Sequence, residues 1–251
     1  MQKCCVITGA SSGLGRELAL QYAADGWRVL TIARSEERLL QLSQQSALIQ
    51  PLVLDLTDSA AMEKSAGIIA AVLPSVDLLI LNAGSCEYVD ADNLELAAFE
   101  RTFAVNFFAV VAAVKYWLPL LKNSAAGNSG RAQLAIVSSL AWLFPFTRAE
   151  AYGASKAALS YFTDSLRLDL TGQCIQVSLI EPGFVDTPLT RKNDFAMPFL
   201  LPVADAAARV RKAIADGKLR CRFPLRLSFS LQLLNLLPYS FRQKVAAGLK
   251  R

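Results

Sequence analysis

Short apolar runs alternate with helix-length amphipathic segments over residues 4–180, and this alternation is what most constrains the fold. The strand-length runs cover residues 4–8, 28–33, 49–55, 78–82, 133–138 and 175–180. The helical patterns between them cover residues 15–24, 35–45, 59–72, 96–121 and 152–170. Strands that are apolar throughout and separated by helices predict a parallel sheet with both faces covered. Right-handed crossovers then give a single Rossmann-type, doubly wound α/β fold.

The chain lacks a linker-like segment, so we interpret its 251 residues as one domain. Residues 1–221 form the predicted Rossmann-type catalytic domain. Within it, the irregular, proline-containing segment 186–202 is expected to be a substrate loop. Residues 222–251 form a basic, leucine-rich C-terminal extension of the same domain.

Histidine is absent from the chain. This excludes a Ser-His-Asp triad, a histidine general base and any zinc site that needs imidazole, and no metal site is predicted. The five cysteines form no Cys-x-x-Cys pair, and their odd number favours reduced thiols over disulfides or metal ligands. Because the N-terminus also begins with a strand rather than a signal peptide, we expect a cytoplasmic protein.

Charge is spread unevenly along the chain, whose net charge is +5. Residues 1–208 carry 15 basic and 20 acidic side chains, whereas residues 209–251 carry 11 basic side chains and one acidic residue, Asp216. The leucine-rich segment 223–241 is too interrupted by polar residues to span a bilayer. It is expected to cover the active site, to contact a dimer partner, or to make a peripheral contact with an anionic membrane. Nucleic acid is not an expected partner, because the basic cluster contains no recognition motif.

A glycine-rich turn with the order Gly-x-x-x-Gly-x-Gly joins the first strand to the first helix. Glycines let the backbone approach a phosphate closely, and the free N–H groups at a helix start attract an anion. The turn therefore predicts a dinucleotide site, although a purely structural turn uses the same residues. The residues expected to bind the cofactor here are Gly9, Ser11, Ser12, Gly13, Leu14 and Gly15.

The end of the second strand indicates which cofactor binds. An NAD-specific site places an acidic residue there for the ribose 2′-hydroxyl, but this chain has Ala33 followed by Arg34. A guanidinium makes a two-pronged, charge-assisted contact with a 2′-phosphate. We therefore predict NADP(H) in preference to NAD(H). The alternative is an ordinary solvated surface arginine.

Two further strand ends supply candidate cofactor contacts. Asp55 and Leu56 follow the third strand, where the adenine is expected, although a carboxylate there is also a candidate helix cap. Asn82, Ala83 and Gly84 close the fourth strand. Their small size lets the chain pass close under a cofactor, or simply makes a turn.

Tyr152 and Lys156 stand four residues apart at the start of a predicted helix and share one of its faces. A neighbouring ammonium is expected to lower the pKa of the phenol, so that Tyr152 serves as general acid and base. Ser139, at the end of a strand, is expected to donate a hydrogen bond to a substrate oxygen, unless it merely caps a helix. Asn106 lies in an apolar helix, either as a structural amide or as support for a water linked to Lys156.

Taken together, these motifs resemble the short-chain dehydrogenase/reductase family, in the family's order and over residues 4 to about 190. The resemblance implies a catalytic tetrad of Asn106, Ser139, Tyr152 and Lys156, with Tyr152 and Lys156 also contacting the cofactor. It implies further cofactor contacts from Pro182, Gly183, Val185 and Thr187. It also implies an NADP-preferring enzyme that is a homodimer or homotetramer.

The sequence departs from the family pattern at two positions. Leu81 replaces a frequent asparagine, and Trp142 replaces a frequent glycine. Neither change removes a catalytic group, but Trp142 is expected to reshape the substrate pocket.

The predicted function is that of an NADP(H)-dependent carbonyl reductase or alcohol dehydrogenase, in which Tyr152 is the acid/base. An apolar lining predicts a hydrophobic substrate. The expected lining residues are Leu143, Phe144, Phe146, Phe184, Leu189, Phe195, Met197, Phe199 and Leu200. The alternative from another class is an NADP(H)-binding sensor or scaffold with little turnover. An extended-type epimerase or dehydratase is less consistent with so short a chain.

Overall fold

The computed structural model describes residues 2–129 and 131–248. In this part of the chain, seven parallel strands form one sheet in the order β3-β2-β1-β4-β5-β6-β7. The strands are β1 (Cys4–Thr8), β2 (Arg28–Ala33), β3 (Ile49–Val53), β4 (Leu78–Leu81), β5 (Ala132–Val137), β6 (Ile175–Pro182) and β7 (Arg220–Phe223). The strand order reverses direction at β1, as in a doubly wound sheet.

Helices cover both faces of the sheet, which confirms the predicted fold class. The helices are α1 (Gly13–Ala24), α2 (Glu36–Ser43), α3 (Ser59–Val72), α4 (Leu96–Phe103), α5 (Ala109–Ser124), α6 (Glu150–Asp169), α7 (Val203–Ala215), α8 (Leu225–Asn235) and α9 (Tyr239–Gly248). Alternate strand residues face opposite sides. Cys4 and Val6 pack with α3, α5 and α6. Cys5 and Ile7 pack with α1, α2 and α7.

The helix predicted over residues 96–121 is interrupted by a π-helical turn, Ala104–Phe108, which separates α4 from α5. The whole segment Leu96–Gly127 is long and apolar enough to cross a membrane by length and composition alone. However, Val110, Trp117 and Leu121 pack in the core against the sheet. Its apolar character is therefore explained by the burial of one face.

The C-terminal segment completes both the sheet and the region beside it. β7 pairs with β6, and the domain boundary expected between residues 221 and 222 falls inside this strand. From α8, Leu227 and Leu231 pack on Leu140, Leu143 and Phe144 in the loop that follows β5. The extension therefore covers the loop that carries Ser139.

Candidate active site

The candidate site lies where parallel strands end at one edge of the sheet. β1, β4, β5 and β6 are consecutive neighbours, so the segments that follow them converge there. Those segments begin with Gly9, Asn82, Ser138 and Gly183. The topology thus brings the glycine-rich turn, the Asn82 segment and the loop bearing Ser139 together.

The glycine-rich turn packs directly against the end of β4. A Cβ atom on Gly9, whose φ is +67°, would lie 2.7 Å from Ala83 Cα, and one on Gly15 would lie 2.5 Å from Asn82 Nδ2. Asn82 Nδ2 donates to the carbonyl of Thr8 at 3.0 Å, and Thr8 Oγ1 accepts from the Ala83 N–H at 3.0 Å. Side chains at these glycines would push the turn away from the sheet.

The start of α1 fits a phosphate group. Ser12 is the N-cap residue of α1, but its side chain makes no capping hydrogen bond within the described chain. The first turn of α1 contains no acidic residue. The first N–H groups are therefore available to an anion, and the helix dipole favours negative charge there. A Cβ atom on Gly13 would lie 3.1 Å from Thr187 Cγ2, so Thr187 borders the same space. Ser11 and Leu14 lie in the same turn and first helical residues.

Arg34 extends into solvent beyond β2, with its side chain 74% exposed and its Nη1 atom 4.0 Å from Asp55 Oδ2. Asp55 Oδ1 accepts from the N–H and hydroxyl of Thr57, whereas Asp58 caps α3. Asp55 is thus not the helix cap. Burial acts to raise the pKa of Asp55, but the bonds from Thr57 and the charge of Arg34 outweigh it and hold the pKa below its ordinary value. Leu56 packs against the core.

The side chains of Tyr152 and Ser139 face one cavity, whereas Lys156 is buried outside the cavity lining. Ser139 Oγ also accepts from the Ala141 N–H at 3.1 Å, so Ser139 caps the short 3₁₀ turn Leu140–Trp142 as well. Lys156 is 3% exposed, and its Nζ donates to the Val137 carbonyl at 2.9 Å.

The pKa of Tyr152 differs from the sequence prediction. Burial, reinforced by Cys86 and Tyr88, raises the pKa of this phenol above its ordinary value, although the hydrogen bond with Ser139 lowers it. Lys156 Nζ lies 5.9 Å from the centre of the ring and bonds to backbone. Burial also lowers the pKa of Lys156 to about 8. The expectation that the protein alone lowers the pKa of Tyr152 was therefore wrong, because desolvation dominates.

Asn106 lies in the π-helical turn, where functional residues are often found, and it is fully buried. Its Oδ1 accepts from the Ser85 N–H at 2.8 Å, while its Nδ2 donates to the Ser85 carbonyl and to Ser155 Oγ. A Cβ atom on Gly84 would lie 3.2 Å from Asn106 Oδ1 and 3.4 Å from Lys156 Nζ. Asn106 thus holds the Ser85 backbone through two hydrogen bonds, and Gly84 lies between Asn106 and Lys156.

The segment after β6 closes the far side of the site. Gly183 packs so tightly that a Cβ atom there would lie 2.8 Å from Leu227 Cδ2. Val185 is buried and bridges to Leu201, which joins the two ends of the loop 186–202. The carbonyl of Pro182 accepts from Ser139 Oγ at 3.4 Å. These contacts hold Pro182, Gly183, Val185 and Thr187 next to the glycine-rich turn and Ser139.

The cavity at Tyr152 is mostly apolar and encloses about 140 Å³. Of the residues expected to line it, Phe146, Phe184, Leu189 and Phe195 do so. The remaining five lie elsewhere. Leu143 and Phe144 are buried in the cluster under α8, Phe199 and Leu200 are exposed, and Met197 is outside the lining, with its sulfur contacting Asn193.

Sequence patterns did not reveal several residues of the lining. From α8, Leu227 and Leu231 reach the cavity, although they lie about 75 residues after Tyr152 in the chain. Tyr88 and Asn193 contribute polar atoms to the wall and hydrogen-bond to each other at 2.5 Å. Their only sequence signal is proximity to a motif, which does not fix the direction of a side chain.

Trp142 does not line the cavity at Tyr152 in the part of the chain that the structure describes. Its indole N–H donates to Glu181, a fully buried carboxylate on β6. Glu181 also accepts from Arg222 Nε at 2.6 Å and lies 3.5 Å from Arg220 Nε. Trp142 is therefore part of a buried ionic cluster behind the loop rather than part of the substrate wall.

Candidate metal ligands do not cluster in the described chain, where no group of three histidine, cysteine, aspartate or glutamate residues could hold an ion. Cys4, Cys5, Cys174 and Cys221 are free thiols.

This site defines a class of protein: a Rossmann-type dinucleotide-binding fold with a tyrosine–lysine pair at the edge of its sheet. The family model described as short chain dehydrogenase matches residues 3–197. The chain therefore belongs to the short-chain dehydrogenase/reductase family, whose members are oxidoreductases that use a nicotinamide cofactor.

Known proteins resemble the chain over nearly all of its length. An uncharacterized oxidoreductase of Myxococcus xanthus is 35% identical over 237 residues, which are 93% of this chain and 92% of that protein. A short-chain dehydrogenase structure from Streptomyces avermitilis gives a TM-score of 0.82 at 24% identity and covers 98% of this chain and 95% of that one. The structure of Pseudomonas aeruginosa RhlG, an active-site complex with NADP, gives a TM-score of 0.77 at 23% identity. The match covers 88% of this chain and 94% of that one.

Proposed function

We propose that the protein transfers a hydride between NADP(H) and the carbonyl or alcohol carbon of a hydrophobic substrate, with Tyr152 as general acid/base. One observation carries this proposal: the Tyr152 and Ser139 side chains both line one mostly apolar cavity. Tyrosine and serine hydroxyls that face the same cavity are able to bind one substrate oxygen together.

The residues divide the chemistry between them. When bound, the nicotinamide supplies or accepts the hydride. Ser139 donates a hydrogen bond to the substrate oxygen, and Tyr152 Oη gives that oxygen its proton during reduction. Because burial raises the pKa of Tyr152, the phenol holds its proton at neutral pH, which suits a general acid. Lys156 lies next to Gly84 at the end of β4, and we propose that its ammonium donates to a cofactor hydroxyl.

The preference for NADP(H) rests on Arg34, Gly13 and the open start of α1. The α1 N–H groups suit a phosphate, and the exposed guanidinium of Arg34 suits a second phosphate at the end of β2. The NADP complex of RhlG, a protein of similar fold, is consistent with this assignment.

The hydrophobic substrate class rests on the cavity wall. Leucine, phenylalanine and alanine side chains occupy much of the wall, and its polar side chains are those of Tyr88, Ser139, Tyr152, Thr190, Lys192 and Asn193. An apolar wall with few polar anchors favours an extended or aromatic carbonyl compound over a sugar.

A panel of aldehydes and ketones graded by chain length tests the proposal. NADPH deuterated at C4 is incubated with each compound, and the alcohol product is examined for deuterium on its new C–H bond. We expect transfer, with kcat/KM rising with apolar length. Cofactor binding without transfer to any compound would instead support the sensor or scaffold function.

We further propose a homo-oligomer in the cytoplasm. Enzymes of this family act on small substrates and are often oligomeric. Phe108 in the π-helical turn, and Tyr161 and Leu168 on α6, which contacts that turn, expose apolar surface. Light scattering is expected to give a mass of two or four chains, and a monomer at micromolar concentration would contradict this.

A further inference from the structure

α8 presents two different apolar faces. Its buried face carries Leu227 and Leu231, which line the cavity at Tyr152. Its other face carries Leu225, Phe229 and Leu233, which are 73%, 68% and 54% exposed. A helix that packs on a core needs only one apolar stripe. The second stripe is therefore not explained by the packing of this chain.

The exposed residues form a continuous stripe. Leu225, Phe229, Leu233 and Leu236 follow the spacing i, i+4, i+8 and i+11, which places them on one side of a helix. Leu236 directly follows α8, keeps helical backbone angles and is 81% exposed. Tyr239 and Phe241, at the start of α9, add exposed aromatic surface. We call Leu225, Phe229, Leu233 and Leu236 the outer stripe.

Basic residues occupy the same segment. Residues 217–251 contain eight lysines and arginines and neither aspartate nor glutamate. Arg226 lies next to the outer stripe on α8 and is exposed, and Lys244 is exposed on α9. Arg220 and Arg222 are paired with acidic residues, so the unpaired positive charge concentrates nearer the stripe. Large apolar side chains flanked by bases match the interface of a bilayer with anionic headgroups.

We propose that the outer stripe and its flanking bases dock this protein on an anionic lipid bilayer. A second copy of the chain is a poorer occupant, because a twofold contact through this face would place the bases of both copies opposite each other. A bilayer accepts the leucine and phenylalanine side chains and pairs the bases with lipid phosphates. α8 then has its inner face on the cavity and its outer face on the membrane.

A consequence follows for substrate delivery, and this consequence alone rests on the proposed function. Leu227 and Leu231 line the cavity from the helix whose outer stripe enters the headgroup region. A hydrophobic carbonyl compound dissolved in the bilayer would reach Tyr152 beside α8 without crossing bulk water. The docking proposal itself needs no turnover.

Vesicle sedimentation tests the docking without substrate. The full chain is mixed with vesicles of phosphatidylcholine alone or with about one-third phosphatidylserine, at low and high salt. We expect the protein to pellet with the anionic vesicles and to be released by salt. The double variant Leu225→Ser/Phe229→Ser should bind about tenfold more weakly. Arg226→Gln/Lys244→Gln should lose the preference for phosphatidylserine.

The matched control is Leu94→Ser/Leu96→Ser, which removes two leucines that are 61% and 71% exposed outside the extension. It should bind vesicles as the parent does, and circular dichroism verifies that each variant is folded. Equal binding by the stripe variant, or no binding by the parent, overturns the proposal. So does light scattering that shows an oligomer of the parent converted to monomer by the stripe variant, because the occupant is then a second copy. Failure of hydride transfer leaves these outcomes unaffected.

Discussion

Two buried polar clusters flank the loop after β5, and they differ in what their hydrogen bonds are used for. In the first, the hydroxyls of Ser139 and Tyr152 face a cavity. In the second, Glu181 is saturated by Trp142, Arg222 and Arg220, and it is fully buried. We call these the cavity cluster and the Glu181 cluster. Both lie at the carboxyl edge of the sheet.

The difference shows how a functional cluster can be separated from a structural one. Buried polar groups occur in both clusters, so burial alone is not decisive. The cavity cluster has hydrogen-bond donors and acceptors that a ligand can use. In the Glu181 cluster, the carboxylate oxygens already accept hydrogen bonds from protein side chains. Changes in the first should therefore affect turnover, and changes in the second should affect folding stability.

The largest expected change in stability is for Glu181→Ala. The substitution leaves Arg222 and the Trp142 N–H without their buried partner, so we expect a loss of about 3–5 kcal/mol in the free energy of unfolding. Asp186→Ala breaks the exposed pair with Arg191 and should cost much less, because solvent screens that pair. Urea denaturation measures both. Equal costs would contradict the distinction between the two clusters.

A smaller effect is expected from the protonation of Lys156. Its pKa is lowered to about 8 from an ordinary value of 10.5, because burial disfavours the ammonium. Below pH 8 the buried charge opposes folding. As the pH rises from 8 to 10.5, the folded chain has released a proton that the unfolded chain still holds, so stability rises.

Comparison with Lys156→Met isolates this contribution. Between pH 7 and pH 10.5, the unfolding free energy of the parent should rise relative to that of the variant by up to about 3 kcal/mol. Urea titrations of both proteins without cofactor measure the difference. A constant difference across this range would show that Lys156 has the same pKa in the folded and unfolded chains.

The smallest expected effect is on cofactor binding and concerns Arg34, whose charge is exposed at the surface. Arg34→Gln should weaken NADPH binding about tenfold, because a charge-assisted contact to a phosphate is lost, and should leave NADH binding nearly unchanged. Arg38→Gln, another exposed arginine nearby on α2, is the control. Fluorescence titration with both cofactors measures the effect. Equal losses for the two cofactors would remove Arg34 from the 2′-phosphate site.

The fold was largely predictable because six of the seven strands in the described chain are predominantly apolar. β1 and β2 were predicted to the residue, and the others to within two residues at each end. β7 was missed, because Arg220–Phe223 is a short edge strand with two arginines. Edge strands pair on one side only, so their sequence pattern is weaker.

The candidate site was predictable only where local motifs determine it. The glycine-rich turn and the Tyr152–Lys156 spacing are local, and the fold places them at one edge of the sheet. The contact of Glu181 with Trp142 and the contact of Leu227 with the cavity join residues distant in the chain, so no local motif indicates either one. The pKa of Tyr152 was misjudged because a spacing shows the nearby lysine but not the burial.

The most direct measurement of the central claim compares Tyr152→Phe with Tyr161→Phe, an 80% exposed tyrosine on the same helix. With the best carbonyl compound of the panel, Tyr152→Phe should lower kcat/KM by about 10²–10⁴, since it removes the group that donates the proton. NADPH affinity and unfolding free energy should change little, and Tyr161→Phe should match the parent. Parent-like turnover by Tyr152→Phe would contradict the account.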